Sequence, residues 1–320
     1  MRYYSLFLQI FIAGVILGFA NLGVGKLAKT SFANQLRDHC EAVKNPTDIF
    51  LGNSLAAAGI DEEVFNLQNP KRCALNAGCG STGPLEHYLI FEKTTASKGG
   101  TIYYCFFDTQ LTDERKADWD TLTGNSALAY YFNLQKTLEL SAPHDPVKML
   151  RLTLVSYFPI FYERLAIWAK IEKLRRKLTA IGVPVQEENR FGRIIDFELL
   201  EPENLETFAV LLGNQVKEKV GLNIPVSHLV KRLRELECRL VFVLMPMPKL
   251  HRTRFNESKN WQSYLEHIKE IAGANGAGFV SAIDWVEDSG FADHLHLNSV
   301  GAKRFSQKIY LKSDHAFPRK

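Results

Sequence analysis

The stretch Asp48-Ile49-Phe50-Leu51-Gly52-Asn53-Ser54 decides how the rest of the chain is read. Ile49, Phe50 and Leu51 form a continuous apolar run, the pattern of a central parallel strand covered on both faces. Gly52 permits a sharp turn, so Ser54 stands at the carboxyl end of the strand, where open α/β sheets hold their ligands. The small run Leu55-Ala56-Ala57-Ala58 then opens a helix whose amino terminus points at whatever Ser54 holds. A serine in that position becomes a nucleophile only if a base reaches it. Near the other end of the chain, Asp293-His294-Leu295-His296-Leu297-Asn298 supplies an acid and a base three residues apart, close enough to share one face of a helical turn.

Taken together, Gly52-Asn53-Ser54 and Asp293-x-x-His296 resemble the Gly-Asp-Ser and Asp-x-x-His blocks of the SGNH (GDSL-like) hydrolase superfamily. The likeness covers residues 45–110 and 235–312 and is to the membrane-anchored branch around polysaccharide O-acetyltransferases and the teichoic-acid D-alanylation protein. It implies an α/β fold, a three-layer αβα sandwich on a five-stranded parallel sheet. It also implies Ser54 as nucleophile, His296 as general base and Asp293 as the group that orients the imidazole. The glycine-rich loop Ala77-Gly78-Cys79-Gly80-Ser81-Thr82-Gly83 falls where the family's second block lies. The resemblance therefore makes the amides of Ser54 and Gly80, with Gly78 as second choice, the oxyanion hole. Asn53 replaces the family's aspartate. The third-block asparagine is missing after the strand at residues 101–107; Asp108 stands there, and an ionised carboxylate cannot donate a hydrogen bond.

Other readings of the same residues remain open. Ser54 could merely cap a helix beside a structural Asp–His pair, and the His-x-His pair of His294 and His296 could form a metal site with Asp293, although no third ligand cluster accompanies them. An α/β-hydrolase elbow is excluded because Ala56 stands where Gly-x-Ser-x-Gly requires glycine. No cofactor is expected.

With 320 residues and 46% hydrophobic content, the chain can bury one substantial core. The formal charge of +4 carries no Lys/Arg run with interleaved aromatics, so nucleic acid is not an expected partner. Five cysteines without a CxxC pair argue against a structural zinc site and a disulfide scaffold. Tyr3 to Gly25 is almost uninterrupted apolar sequence, long enough to span a bilayer, between Arg2 and Lys26. A cleaved signal peptide would have a shorter apolar region and an Ala-x-Ala-like end. The expected organisation is thus a transmembrane anchor at 1–26, a linker helix at 27–46 stopped by Pro46, and a catalytic domain at 47–320 outside the cytoplasm, held by a single pass in the cytoplasmic membrane.

Further strands are expected at Arg72–Asn76, Thr101–Phe107, Arg239–Pro248 and Gly278–Ser281, with helices at Pro84–Lys93, Lys259–Ala272 and Val300–Leu311. Residues 111–230 form a mainly helical insertion between the third and fourth strands. Its segment 163–178 is a basic amphipathic helix in which Lys173, Arg176 and Lys177 either form a solvated face or meet anionic lipid or glycan. The expected function is a serine esterase or O-acyltransferase acting on an acylated cell-envelope or exported polysaccharide. Its expected partners are that ester, the membrane and a membrane protein that donates the acyl group. The competing class is a catalytically inactive scaffold of an envelope assembly complex.

Overall fold

The computed structural model describes residues 2–27, 32–80, 82–113 and 221–313, with isolated positions between 114 and 220. The basic helix at 163–178, with Lys173, Arg176 and Lys177, lies outside the described residues. The chain divides into two units, Met1–His39 with Trp119–Val185, and Cys40–Asp118 with Gln186–Lys320. In the first, α1 (Arg2–Leu27) contains a 20-residue stretch, Tyr4–Gly23, long and apolar enough to cross a membrane, none of which is buried. Within the stretch expected as a linker helix, α2 spans Phe32–Ala42 among the described residues.

The second unit is built on five parallel strands in the order β2-β1-β3-β4-β5. They are β1 (Asp48–Leu51), β2 (Ala74–Asn76), β3 (Thr101–Phe106), β4 (Arg239–Leu244) and β5 (Gly278–Ser281). Every residue of β1 and β3 is buried, as their unbroken apolar runs require of strands covered on both faces. Helices α3 (Ser54–Gly59) and α4 (Glu62–Leu67) carry the chain from β1 to β2, and α5 (Pro84–Phe91) returns it to β3. Helix α6 (Ile224–Glu235) precedes β4, α7 (Lys259–Ala274) joins β4 to β5, and α8 (Ser299–Ser313) closes the chain. Right-handed crossovers place α3 and α4 on one face and α5, α6 and α7 on the other. Accordingly, α8 packs on α3 and α4, and α5 on α6. The direction of winding reverses between β1 and β3, so the crevice that accepts a ligand opens at their carboxyl ends, where Ser54 follows β1.

Element ends differ from expectation where a side chain takes over a backbone group. The helix after Ser54 is two helices, because Asp61 Oδ1 accepts from Val64 N at 3.0 Å and starts α4 afresh. The fourth strand stops at Leu244, since Pro246 and Pro248 have no N–H to give the ladder. The second begins at Ala74, because Cys73 N donates to the Thr47 side-chain Oγ1 at 2.8 Å, and Arg72 just before it turns its side chain to Asp48. Asp48, wholly buried at the start of β1, accepts from Arg72 Nε at 2.8 Å, from Arg72 Nη2, from Thr47 Oγ1 at 2.8 Å and from Tyr103 OH at 3.2 Å. The guanidinium also lies over the rings of Phe65 and Tyr310, at 5.2 and 5.3 Å.

Removing one partner of such a pair strands a buried charge. Arg72→Met is expected to lower stability by about 3–5 kcal/mol in denaturant unfolding, with Arg72→Met/Asp48→Asn recovering much of the loss. Equal stability of Arg72→Met and wild type would show that Asp48 is solvated after all.

Candidate active site

Ser54 is the first residue of α3, and its position follows from the two residues before it. Gly52 has φ +155°, and a Cβ there would lie 2.8 Å from the Cys105 carbonyl oxygen, so only glycine lets β1 end so close to β3. Asn53 caps the helix, its Oδ1 accepting from Leu55 N at 3.0 Å. Asparagine serves that cap as well as the aspartate it replaces.

The acid and base arrive on the loop that precedes α8. Asp293 Oδ1 accepts from Leu295 N at 2.9 Å and His296 N at 2.8 Å, and the carboxylate thereby bends the chain around itself. Phe291 and Leu297, both buried, close the loop as a bridge. Asn298 fixes its base: Nδ2 donates to Ser289 O and Phe291 O, while Oδ1 accepts from Val300 N and Gly301 N at the start of α8.

This places His296 Nε2 at 2.8 Å from Ser54 Oγ and His296 Nδ1 at 2.9 Å from both Asp293 oxygens. Burial opposes ionisation of Asp293, but hydrogen bonds from the His296 ring and from the His296 and Leu295 amides outweigh it and hold the carboxyl well below the usual carboxylate range. An ionised Asp293 fixes the proton on Nδ1, leaving Nε2 to accept from the serine hydroxyl. The three side chains therefore stand in a line, a hydroxyl facing an imidazole that faces a carboxylate.

The loop after β2 is laced to the end of β1, with Ala77 N donating to Phe50 O and Cys79 N to Gly52 O, both at 2.9 Å. The two glycines singled out from sequence differ in role. The Gly78 amide donates to Asn76 Oδ1 at 3.1 Å, and a Cβ on Gly78 would strike Ala57 N at 2.4 Å, so this glycine packs the loop against α3. Gly80 lies beside Ser54, its Cβ position 3.8 Å from Ser54 Cβ. After β3, Asp108 is buried and accepts from Gln110 N at 2.9 Å, turned to its own backbone. Among the described residues, no three His, Cys, Asp or Glu side chains converge as a metal site would need.

Sequence reading missed a buried polar chain behind this loop. Thr82 Oγ1 lies 2.5 Å from Cys79 O and 2.9 Å from His87 Nε2, and His87 Nδ1 lies 2.8 Å from Tyr104 OH. Burial drives the His87 pKa down to about 3, so the ring is neutral. Thr82 spends its one proton on the carbonyl; His87 Nε2 must then donate to Thr82, and Tyr104 to His87 Nδ1. Residues 82, 87 and 104 carry no spacing signature, which is why the sequence does not reveal them. Next to His87, Glu86 is also buried, and its Oε2 accepts from Gly83 N at 3.0 Å.

Burial pushes the Glu86 carboxyl up from 4.5 to about 7 against the pull of the Glu86 and Gly83 amides. The folded protein thus holds this proton more tightly than the unfolded chain. The Glu86 contribution is full below pH 4.5 and is lost as pH rises through about 7. Glu86→Gln keeps the cap acceptor and is expected to match wild type at pH 4 and exceed it by up to about 3 kcal/mol at pH 8, read from paired denaturant melts. A gap of the same size at both pH values would contradict a buried, titrating Glu86.

No protein-family model matches the chain, and no curated protein matches it. Among solved structures it is similar to a Streptococcus pneumonia protein provisionally described as a platelet activating factor, at 13% identity and a TM-score of 0.40, over 96% of this chain and 99% of that one. That likeness is too slight to bear on the chemistry.

Proposed function

We propose that the protein is a membrane-anchored, extracytoplasmic serine esterase or O-acyltransferase that works through an acyl-serine intermediate. The observation that carries this reading is the line Ser54–His296–Asp293, with contacts of 2.8 and 2.9 Å. His296 Nε2 takes the hydroxyl proton as Ser54 Oγ attacks an ester carbonyl, and Asp293 stabilises the imidazolium. The developing oxyanion lies beside the Ser54 and Gly80 amides. Collapse expels an alkoxide that receives the proton from His296, leaving the acyl group on Ser54. Water, or a sugar hydroxyl, deprotonated by the same histidine then takes the acyl group and restores the serine.

The apolar helix α1 supports anchoring in the cytoplasmic membrane, with the remainder outside the cytoplasm. An acylated envelope or exported polysaccharide as substrate, with a membrane protein as acyl donor, rests on the resemblance of the Ser54 and His296 blocks. Lys173, Arg176 and Lys177 would then engage lipid or anionic glycan. The inactive-scaffold reading is favoured by one observation, the Asp108 carboxylate standing where a third oxyanion donor is expected.

With the full-length protein and an aryl acetate, Ser54→Ala and His296→Ala are each expected to cut kcat by about 10³-fold or more without changing the melting temperature. The double variant should be hardly worse than either alone, because the residues act as a unit. A serine-directed phosphonate should label Ser54. No labelling and no turnover in the wild type would leave the scaffold reading. Full-length protein is further expected to stay with membranes after carbonate extraction; release, or a mature amino terminus near residue 25, would replace the anchor with a cleaved signal.

A further inference from the structure

Ser54 and Gly80 stand on two different segments of the chain. Ser54 opens α3, whereas Gly80 lies on the loop after β2, the edge strand of the sheet and at three residues its shortest. The last residue of β2, Asn76, sits between the two. Its Nδ2 donates toward Ala56 O at 3.2 Å, Ala57 O at 3.3 Å and Ile60 O at 3.2 Å, all on α3 or its cap. Its Oδ1 accepts from Gly78 N at 3.1 Å, on the loop. The Asn76 main-chain N–H donates to Glu62 Oε1 in the first turn of α4.

The chemistry of this tie is particular to asparagine. At six residues α3 is too short to satisfy most of its own carbonyls, because the last four of any helix lack an intrahelical partner. Ala56 O receives Ile60 N at 3.3 Å, and the Asn76 amide group adds bonds to residues 56, 57 and 60. A primary amide offers two donors to one segment and an acceptor to another from a single rigid plane. Aspartate would offer acceptors alone, and serine one short hydroxyl. The surroundings also fix which way the amide faces. Turned over, its oxygen would oppose three carbonyl oxygens, and its NH₂ would oppose the Gly78 N–H.

We propose that Asn76 is a positioning residue of the serine chemistry, holding the glycine loop at a set distance from α3 so that the Ser54 and Gly80 amides converge on one oxyanion. This rests on the acyl-serine reading given above. Gly80 follows two residues after the amide that Asn76 holds, and its Cβ position is 3.8 Å from Ser54 Cβ. Slack at Asn76 therefore moves the Gly80 donor. Ser54 keeps its own supports, the turn at Gly52 and the Asn53 cap, and stays in line with His296 and Asp293. Donors that miss the oxyanion stabilise the transition state less while leaving ground-state binding of the ester unchanged.

The test compares phenyl acetate with its thionoester, in which C=S replaces C=O. Sulfur accepts hydrogen bonds more weakly than oxygen, so the ratio of the two rates reports the aligned donors and not the nucleophile. In full-length protein, Asn76→Asp is expected to lower kcat for phenyl acetate by about 100-fold with KM little changed, and to lower the oxoester-to-thionoester ratio by about tenfold. Asn76→Ser, which introduces no charge, should move both in the same direction by less, and it carries the test if Asn76→Asp does not fold. Arg72→Met, which destabilises the protein away from the glycine loop, should keep the wild-type ratio. An unchanged ratio in the folded Asn76 variants of an active enzyme, or an equal fall in Arg72→Met, overturns this proposal alone. A wild type that cleaves neither ester and takes no phosphonate on Ser54 overturns the acyl-serine reading, and this proposal with it.

Discussion

The whole second unit turns on the missing side chain at Gly52. With the Cys105 carbonyl 2.8 Å from where a Cβ would be, β1 can end hard against β3 and swing at once into α3. A larger residue would push the end of β1 away from its neighbour, and three arrangements depend on that closeness. The Gly52 carbonyl accepts from Cys79, which pulls the glycine loop alongside. Asn53 falls into cap position. Ser54 meets an imidazole that enters from 242 residues further along the chain.

The two halves of the site are held by different physics. The serine half is stiff because it is continuous with the sheet: β1 is four residues long, buried throughout, tied at its start by Asp48 to Arg72 and at its end by Gly52. The histidine half is a loop with no regular structure. It owes its shape to two polar side chains, Asp293 and Asn298, each of which satisfies several backbone groups at once. Asp293 is therefore both the scaffold of its loop and the partner of the imidazole, so the geometry of the base and its electrostatics cannot be altered independently.

Much of this was legible before any coordinates. The strand cores, the parallel sheet and the apolar first helix follow from apolar runs and glycine placement, which are local signals, whereas the pairing of Ser54 with His296 is implied only by the resemblance of their two blocks. What sequence missed is what long-range geometry decides. The loop that carries Asp293 and His296 can be read from sequence, but not that the carboxylate itself shapes it by accepting from the Leu295 and His296 amides. Resemblance alone prefers Gly80 to Gly78; the position of α3 supplies the physical reason, since a Cβ on Gly78 would strike Ala57 N. Thr82, His87 and Tyr104 come together only because β3 lies beside the crossover from β2.

The polar chain under the glycine loop has a direction. Each group gives its proton toward Cys79, so the dipoles of Tyr104, His87 and Thr82 line up head to tail and end on one carbonyl. That carbonyl belongs to the same peptide as the Gly80 N–H. Hydrogen bonding at the oxygen of an amide draws charge through its resonance and leaves the nitrogen's hydrogen more positive. The buried threonine therefore polarises, from behind, the amide proposed to face the oxyanion, and a side chain that never touches a substrate sets how strongly that amide can donate.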